Sequence, residues 1–220
     1  MTRLFRILMA VVAVATGLTA SAETKKTDDT AHFGARVQLD FNSSTTESEI
    51  VHWGPGFSVG VAYYAPFGRI TYFNTGLLFS YDTFKLGGWT GSKYAPRYMD
   101  GHMTTIGLRL PFDLGFKLVQ NKTINLSLYT GPHLYGDFQC RAKYKNIRAT
   151  WTEDVDKNYT VSGLEIGWAV GAAIDFKRRW HLHFEYMLGL SNMAMTDDIR
   201  MNEHSNFKRE ELSVGLGYNF

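Results

Sequence analysis

Residues 210–220 alternate with a period of two up to the last residue of the sequence. Leu212, Val214, Leu216, Tyr218 and Phe220 fall on one face; Glu211, Ser213, Gly215, Gly217 and Asn219 fall on the other. Successive side chains of a strand point to opposite faces, so this segment shows an apolar stripe to one environment and small or polar groups to another.

The same period runs back through the chain. A first strand from His32 sets Ala35, Val37, Leu39 and Phe41 against Gly34, Arg36, Gln38 and Asp40; a second sets Phe57, Val59, Val61 and Tyr63 against Ser58, Gly60 and Ala62. The third carries Phe73, Leu77, Phe79 and Tyr81 opposite Tyr72, Asn74, Gly76, Ser80 and Asp82. In the fourth, Ile106 to Leu118 at every second position oppose Gly107, Arg109, Pro111, Asp113, Gly115 and Lys117, and Pro111, which has no amide to donate, predicts an irregularity there. Residues 123–136 and 164–176, then Trp180 to Leu190, supply three more strands, and residues 210–220 the eighth. Short turns at 66–69, 120–122 and 177–179 alternate with long polar loops at 42–55, 83–100, 137–160 and 192–207.

At the other end, residues 1–22 read as a signal peptide: Arg3 and Arg6, an apolar run from Ile7 to Leu18, then Ala20-Ser21-Ala22 before the cut. Residues 23–31 form a polar lead-in, expected in the periplasm, and 32–220 a single domain. The lone Cys140 excludes an intrachain disulfide, and it lies far from the position a lipoprotein would need. A net charge of +2 gives no reason to expect a nucleic-acid partner. A mean hydropathy of -0.20, with no later long apolar run, excludes helical membrane spans.

Charge decides which face meets lipid. A soluble barrel turns its apolar face inward and its charges out. Here the polar face holds Arg36, Asp40, Arg109, Asp113, Lys117, Glu165, Asp175 and Glu185 among many small residues, whereas the apolar face of the strands carries no charge. A Lys or Arg at the bilayer midplane costs about 2 to 4 kcal/mol, so the apolar face points to lipid and the polar face to a narrow lumen. The expected fold is all-β: a closed, antiparallel, eight-stranded transmembrane β-barrel, its edges removed by closure. Short turns then face the periplasm, which gathers Tyr63, Phe67, Phe73, Phe116, Phe176, Trp180, Tyr218 and Phe220 into an aromatic girdle at that rim.

The signal peptide, the eight alternating strands and the terminal Phe220 together resemble the small outer-membrane β-barrel families of Gram-negative bacteria, including the PorT-like barrels associated with secretion. The resemblance implies residence in the outer membrane among its lipids and lipopolysaccharide, and insertion by the barrel-assembly machinery, with Phe220 as the assembly signal. It carries over no catalytic or ligand residue.

The remaining chemistry is read from the residues. An eight-stranded barrel is just wide enough for its own side chains, so the lumen charges are expected to pair across it and plug it, with Arg36 and Arg109 each bridging acids from other strands. His181-x-His183, with His133 or Glu185, has a metal-ligand spacing, but hydrogen bonding within the lumen is the preferred reading. The run Gly189-Leu190-Ser191-Asn192 resembles the His-x-Ser-Asn of lipid A deacylases, with Gly189 where the activating base would stand. Catalytic, cofactor and metal sites are therefore not expected. The loops carry Trp53, Trp89, Tyr94, Tyr98, Trp151 and Tyr159, and the basic run Arg141, Lys143, Lys145 and Arg148 precedes the acidic Glu153, Asp154 and Asp156. These groups suit a protein or lipopolysaccharide partner, or pair with each other if the flanking strands continue as a hairpin. The functional expectation is a plugged barrel with a structural or surface-interaction role, or an accessory to an envelope machine; the rivals are a narrow channel and a lipid A-modifying enzyme.

Overall fold

The computed structural model describes residues 30–45, 51–90, 97–121, 123–148, 151–159, 164–177, 179–192 and 208–220. The expected signal peptide at 1–22, most of the lead-in, most of the loop at 192–207 and Tyr94 lie outside these residues.

Ten strands are formed: β1 (His32–Thr45), β2 (Val51–His52), β3 (Gly54–Pro66), β4 (Thr71–Thr90), β5 (Arg97–Gln120), β6 (Ile124–Ile147), β7 (Thr152–Tyr159), β8 (Glu165–Phe176), β9 (Trp180–Gly189) and β10 (Lys208–Asn219). Eight of them close a ring in the order β1-β3-β4-β5-β6-β8-β9-β10, every neighbour antiparallel, and β10 returns to β1. The remaining two are attachments: β2 lies on β4 and β7 on β6. The seam runs from Gly34 opposite Asn219 to Thr45 opposite Lys208, and the amide of Phe220 donates to the carbonyl of Phe33 at 2.8 Å. The last residue is thus hydrogen-bonded to the first strand.

Local chemistry fixes the short turns. Between β5 and β6 the Asn121 side-chain oxygen accepts from the amides of Thr123 (2.8 Å) and Ile124 (2.6 Å), an Asx-type turn. Between β8 and β9 Lys177 adopts a left-handed backbone (φ 51°), and its amide donates to Thr123 of the adjoining turn. Around this rim Phe33 packs on Tyr63 and Tyr218 packs on both Trp180 and Phe220, with ring centroids 4.8 to 5.9 Å apart.

The three longest strands correct the sequence reading. β4 has 20 residues and β5 and β6 have 24 each, where roughly 9 to 11 cross a bilayer. The expected loops at 83–100 and 137–160 are therefore the upper reaches of two hairpins, β4–β5 and β6–β7. Along these strands the apolar residues change face. Phe79, Tyr81, Ile106 and Leu108 point outward, whereas Phe84, Leu86, Met99 and Met103 point inward and form an apolar core with Val51, Cys140 and Ala142. Lys85, Asp100 and His102 take the outward positions at that level. The surroundings have changed from hydrocarbon to water, so the apolar groups exchange the outside of the wall for its inside.

On β6 a bulge accomplishes the same exchange. Gly107 faces Asp137 and Ile106 faces Gln139, which leaves Phe138 unpaired and shifts the inward positions from odd to even numbers. Cys140 consequently faces the core and is fully buried, not displayed on a loop. At Pro111 the register holds but the pairing is interrupted, as expected: Leu110 and Pro111 have no partner on β4, and Phe112 and Asp113 none on β6; the other shift falls between Lys117 and Val119.

Two measurements test this wall. In the folded barrel Cys140 should resist a small maleimide applied from both sides and react only after unfolding, whereas Asp154→Cys in a Cys140→Ala background should label at once; rapid labelling of native Cys140 would overturn the bulge. Val214→Arg, on the outward face of β10, should cost about 2 to 4 kcal/mol in urea unfolding from vesicles. Inward Ser80→Ala should stay within about 1 kcal/mol of wild type, because the Ser80 hydroxyl is buried without a partner.

Candidate functional site

In the lumen the wall brings together titratable side chains from most of its strands. Its small residues make the room. An ideal Cβ at Gly115 would lie 2.0 Å from the Tyr72 ring, at Gly171 2.2 Å from Tyr129, and at Gly215 2.1 Å from His183, so each glycine is the floor on which a large ring lies. Large and small residues thus alternate on neighbouring strands and pack together within the narrow lumen.

At the upper end of the bilayer-spanning wall, a pair of arginines crosses the lumen. Arg109 of β5 reaches Glu211 of β10 through both terminal nitrogens at 2.5 and 2.6 Å, with Asp40 at 3.5 Å and Asp82 at 3.9 Å. Arg209 of β10 binds Asp82 at 2.7 Å, Asp137 at 2.6 Å and Glu165 at 3.2 Å. Tyr135 lies between the two guanidiniums, each 4.9 Å from its ring centroid. Asp40 also accepts from Ser58 at 2.5 Å and Ser213 at 2.7 Å. All these charged side chains are buried. Two fork-shaped cations hold five carboxylates from β1, β4, β6, β8 and β10, and the apolar core sits directly above them.

Below this layer the lumen holds a cavity of about 60 Å³. Asp113, His133 and Glu185 border it: His133 Nε2 is 3.0 Å from Asp113, and Nδ1 is 3.5 Å from Glu185. Asn74 donates to the second oxygen of Asp113 at 3.2 Å.

The eight residues singled out in the sequence therefore separate. Asp40, Arg109 and Glu165 join the upper layer, but Glu165 pairs with Arg209 and not with Arg109. Asp113 and Glu185 join His133 below. Asp175 binds His181 at 2.8 Å, and Lys117 lies over the rings of Tyr64 and Tyr72. Arg36 does not bridge acids as expected: among the described residues no carboxylate is within ion-pair distance, and its guanidinium donates to the carbonyl of Ala35. The space beside it is that of Gly34 and Gly217, which lets the side chain lie against the wall.

His181 and His183 do not converge on His133; His183 meets Gln38 at 3.2 Å. The Ser191 hydroxyl accepts from the amide of Ile166 at 2.8 Å, a contact that ties β8 to the end of β9. Three acids of the upper layer lie outside the set of eight: Asp82 and Asp137, both partners of Arg209, and Glu211, the two-bonded partner of Arg109. Arg209 itself has the parity of Glu211 and Ser213, so extending the β10 alternation two residues upstream finds it.

The sequence over residues 16–194 matches the family model described as outer membrane protein beta-barrel domain. The chain belongs to this family. Its place is the cell outer membrane, and the barrel crosses that membrane with its strands. Among solved structures it is similar to a major outer membrane protein from Thermus thermophilus (14% identity, TM-score 0.45, covering 87% of this chain and 100% of that one). It is also similar to neisserial surface protein A (14%, 0.40, 87% and 100%) and to the attachment invasion locus protein Ail of Yersinia pestis in complex with sucrose octasulfate (12%, 0.40, 86% and 99%). No curated protein matches.

In barrels of this family short turns face the periplasm and long connections the exterior. By that rule the β6–β7 hairpin is expected above the outer leaflet. Lys143 faces Asp156 and Lys145 faces Asp154 across it, and Arg141 grips Asp156 through two bonds of 2.8 and 2.9 Å. That contact holds the Asp156 carboxyl below its usual range. The basic and acidic runs are thus two sides of one ladder. Arg148 covers the Trp151 ring at its tip, while Trp89 and Trp53 are exposed on the neighbouring elements.

The upper charge layer is a coupled set. Arg109→Ala should destabilise the barrel by about 3 to 5 kcal/mol, because it leaves buried carboxylates uncompensated. Glu211→Ala should cost less, since Asp40 and Asp82 remain beside Arg109. The double variant should lose less than the sum; additive losses in vesicle unfolding would show that the pair does not interact.

Proposed function

We propose that the protein is a plugged, non-enzymatic outer-membrane barrel that works as a structural or surface-interaction protein through its tall exterior hairpins. The observation that carries this reading is a pair of layers across the lumen, the arginine clamps and the apolar core above them, which would act as two seals in series. A water or ion moving from the periplasmic cavity would have to part the Arg109 and Arg209 clamps and then pass the apolar core of Phe84, Leu86, Met99 and Met103. Parting a buried ion pair strands charge at a cost of several kcal/mol.

The exterior is built beyond what crossing a membrane requires. β4 to β7 extend the wall well above the lipid, and their tips present Trp89, Trp151 and paired charges to whatever lies outside. Aromatic groups set among charges suit an extracellular or envelope protein partner, or lipopolysaccharide. The reading against lipid A chemistry rests on Ser191, whose hydroxyl is engaged by the Ile166 amide.

Planar-bilayer recording tests the seal. The wild-type barrel should show no steady conductance from neutral to mildly acidic pH, and Arg209→Ala should introduce transient openings. Steady wild-type conductance would make the protein a narrow channel.

A further inference from the structure

We propose that Asp113, His133 and Glu185 form a binding site for a single divalent transition-metal ion on the wall of the periplasmic cavity. One ligand atom from each of the three lies within 4.8 Å of the other two, so side-chain shifts of a few tenths of an ångström bring all three to about 2.0–2.2 Å from a single ion. The three come from different strands, β5, β6 and β9, so the barrel wall, not a flexible loop, sets the geometry.

Burial gives the second reason. All three side chains are buried, and His133 Nδ1 has no hydrogen-bond partner although it lies in the lumen 3.5 Å from a Glu185 oxygen. Two carboxyl groups and one imidazole converge in a confined space, and a divalent cation can take one lone pair from each. The mixed nitrogen and oxygen donor set suits zinc and its first-row neighbours better than calcium or magnesium, which favour oxygen alone.

The surroundings fit a metal in two further ways. Asn74 fixes the outer oxygen of Asp113 and turns the inner one towards His133, the kind of supporting contact that orients a metal-bound carboxylate. The adjoining cavity of about 60 Å³ has room for several waters, enough to complete the coordination of a three-ligand site. It extends to His32 and Asn125, partly exposed at the turn end, so an ion has a path from the periplasm that does not cross the arginine layer.

The test uses the full barrel folded in detergent, without a histidine tag, stripped by a chelator and then given zinc alone. One zinc per barrel should survive desalting, and cobalt in its place should give visible absorption bands that zinc displaces. His133→Gln and Glu185→Gln should abolish retention, and Asn74→Ala, which keeps every ligand, should weaken it by about 10- to 100-fold. His181→Gln should leave it unchanged. Heat-modified gel migration confirms that each variant is folded, and Asn74→Ala reads the site even if a ligand variant fails to insert. Absence of stoichiometric zinc in the wild type, or retention undiminished by Glu185→Gln and Asn74→Ala, would overturn the proposal.

Discussion

A sheet inside hydrocarbon has nowhere to leave an unpaired amide or carbonyl, and the rest of this structure follows from that constraint. It forces β10 back onto β1, and the final amide, that of Phe220, onto the carbonyl of Phe33. Closure with eight strands in turn fixes how much space is inside. Side chains must fill it, which is why Gly115, Gly171 and Gly215 lie under aromatic or imidazole rings and not under one another. The charges follow the same logic, since an unpaired ion in so narrow a space is costly.

The wall also records where the lipid ends. From the turn end up to Tyr81 and Ile106 most of the large apolar groups face out; from Phe84 and Met103 upward Leu86 and Met99 join them in facing in, and Trp89 is exposed at the tip. On β10 the change falls near Glu210, whose carboxylate accepts from the Tyr186 hydroxyl. One continuous sheet is therefore an inside-out protein in its lower half and an ordinary water-soluble one above. The arginine layer sits at the junction, where neither a lipid-facing nor a water-facing rule supplies enough apolar bulk for the middle.

Much of this was legible in the sequence. Eight strands, the outward apolar face and the short turns all follow from a period of two, because a uniform solvent keeps one parity apolar along a strand. The same rule hid the upper hairpins. Where Phe84 and Leu86 take the other parity, and where Phe138 inserts an extra residue, the alternation breaks and the segments read as loops. Cys140 was misplaced for that reason. In the lumen the sequence shows which residues face inward but not how far a side chain reaches. Arg109 bridges acids of other strands as expected, whereas Arg36, of the same parity and type, folds onto its own strand. Convergence of Asp113, His133 and Glu185 depends on the relative height of three strands, which bulges and tilt set and no local pattern prints.

The position of Arg209 and Glu211 on the closing strand bears on the order in which the molecule is made. Until β10 docks, Asp40, Asp82, Asp137 and Glu165 face Arg109 alone, and Arg109 lacks its two-bonded partner. An open sheet with the other seven strands in place would hold a cluster of mutually repelling carboxylates, and such a species is high in energy. The final strand therefore brings both the missing hydrogen-bond ladder and the missing counter-charge in one event. Seam formation and interior neutralisation become a single cooperative step, and reopening the seam sideways within the bilayer would have to undo both at once.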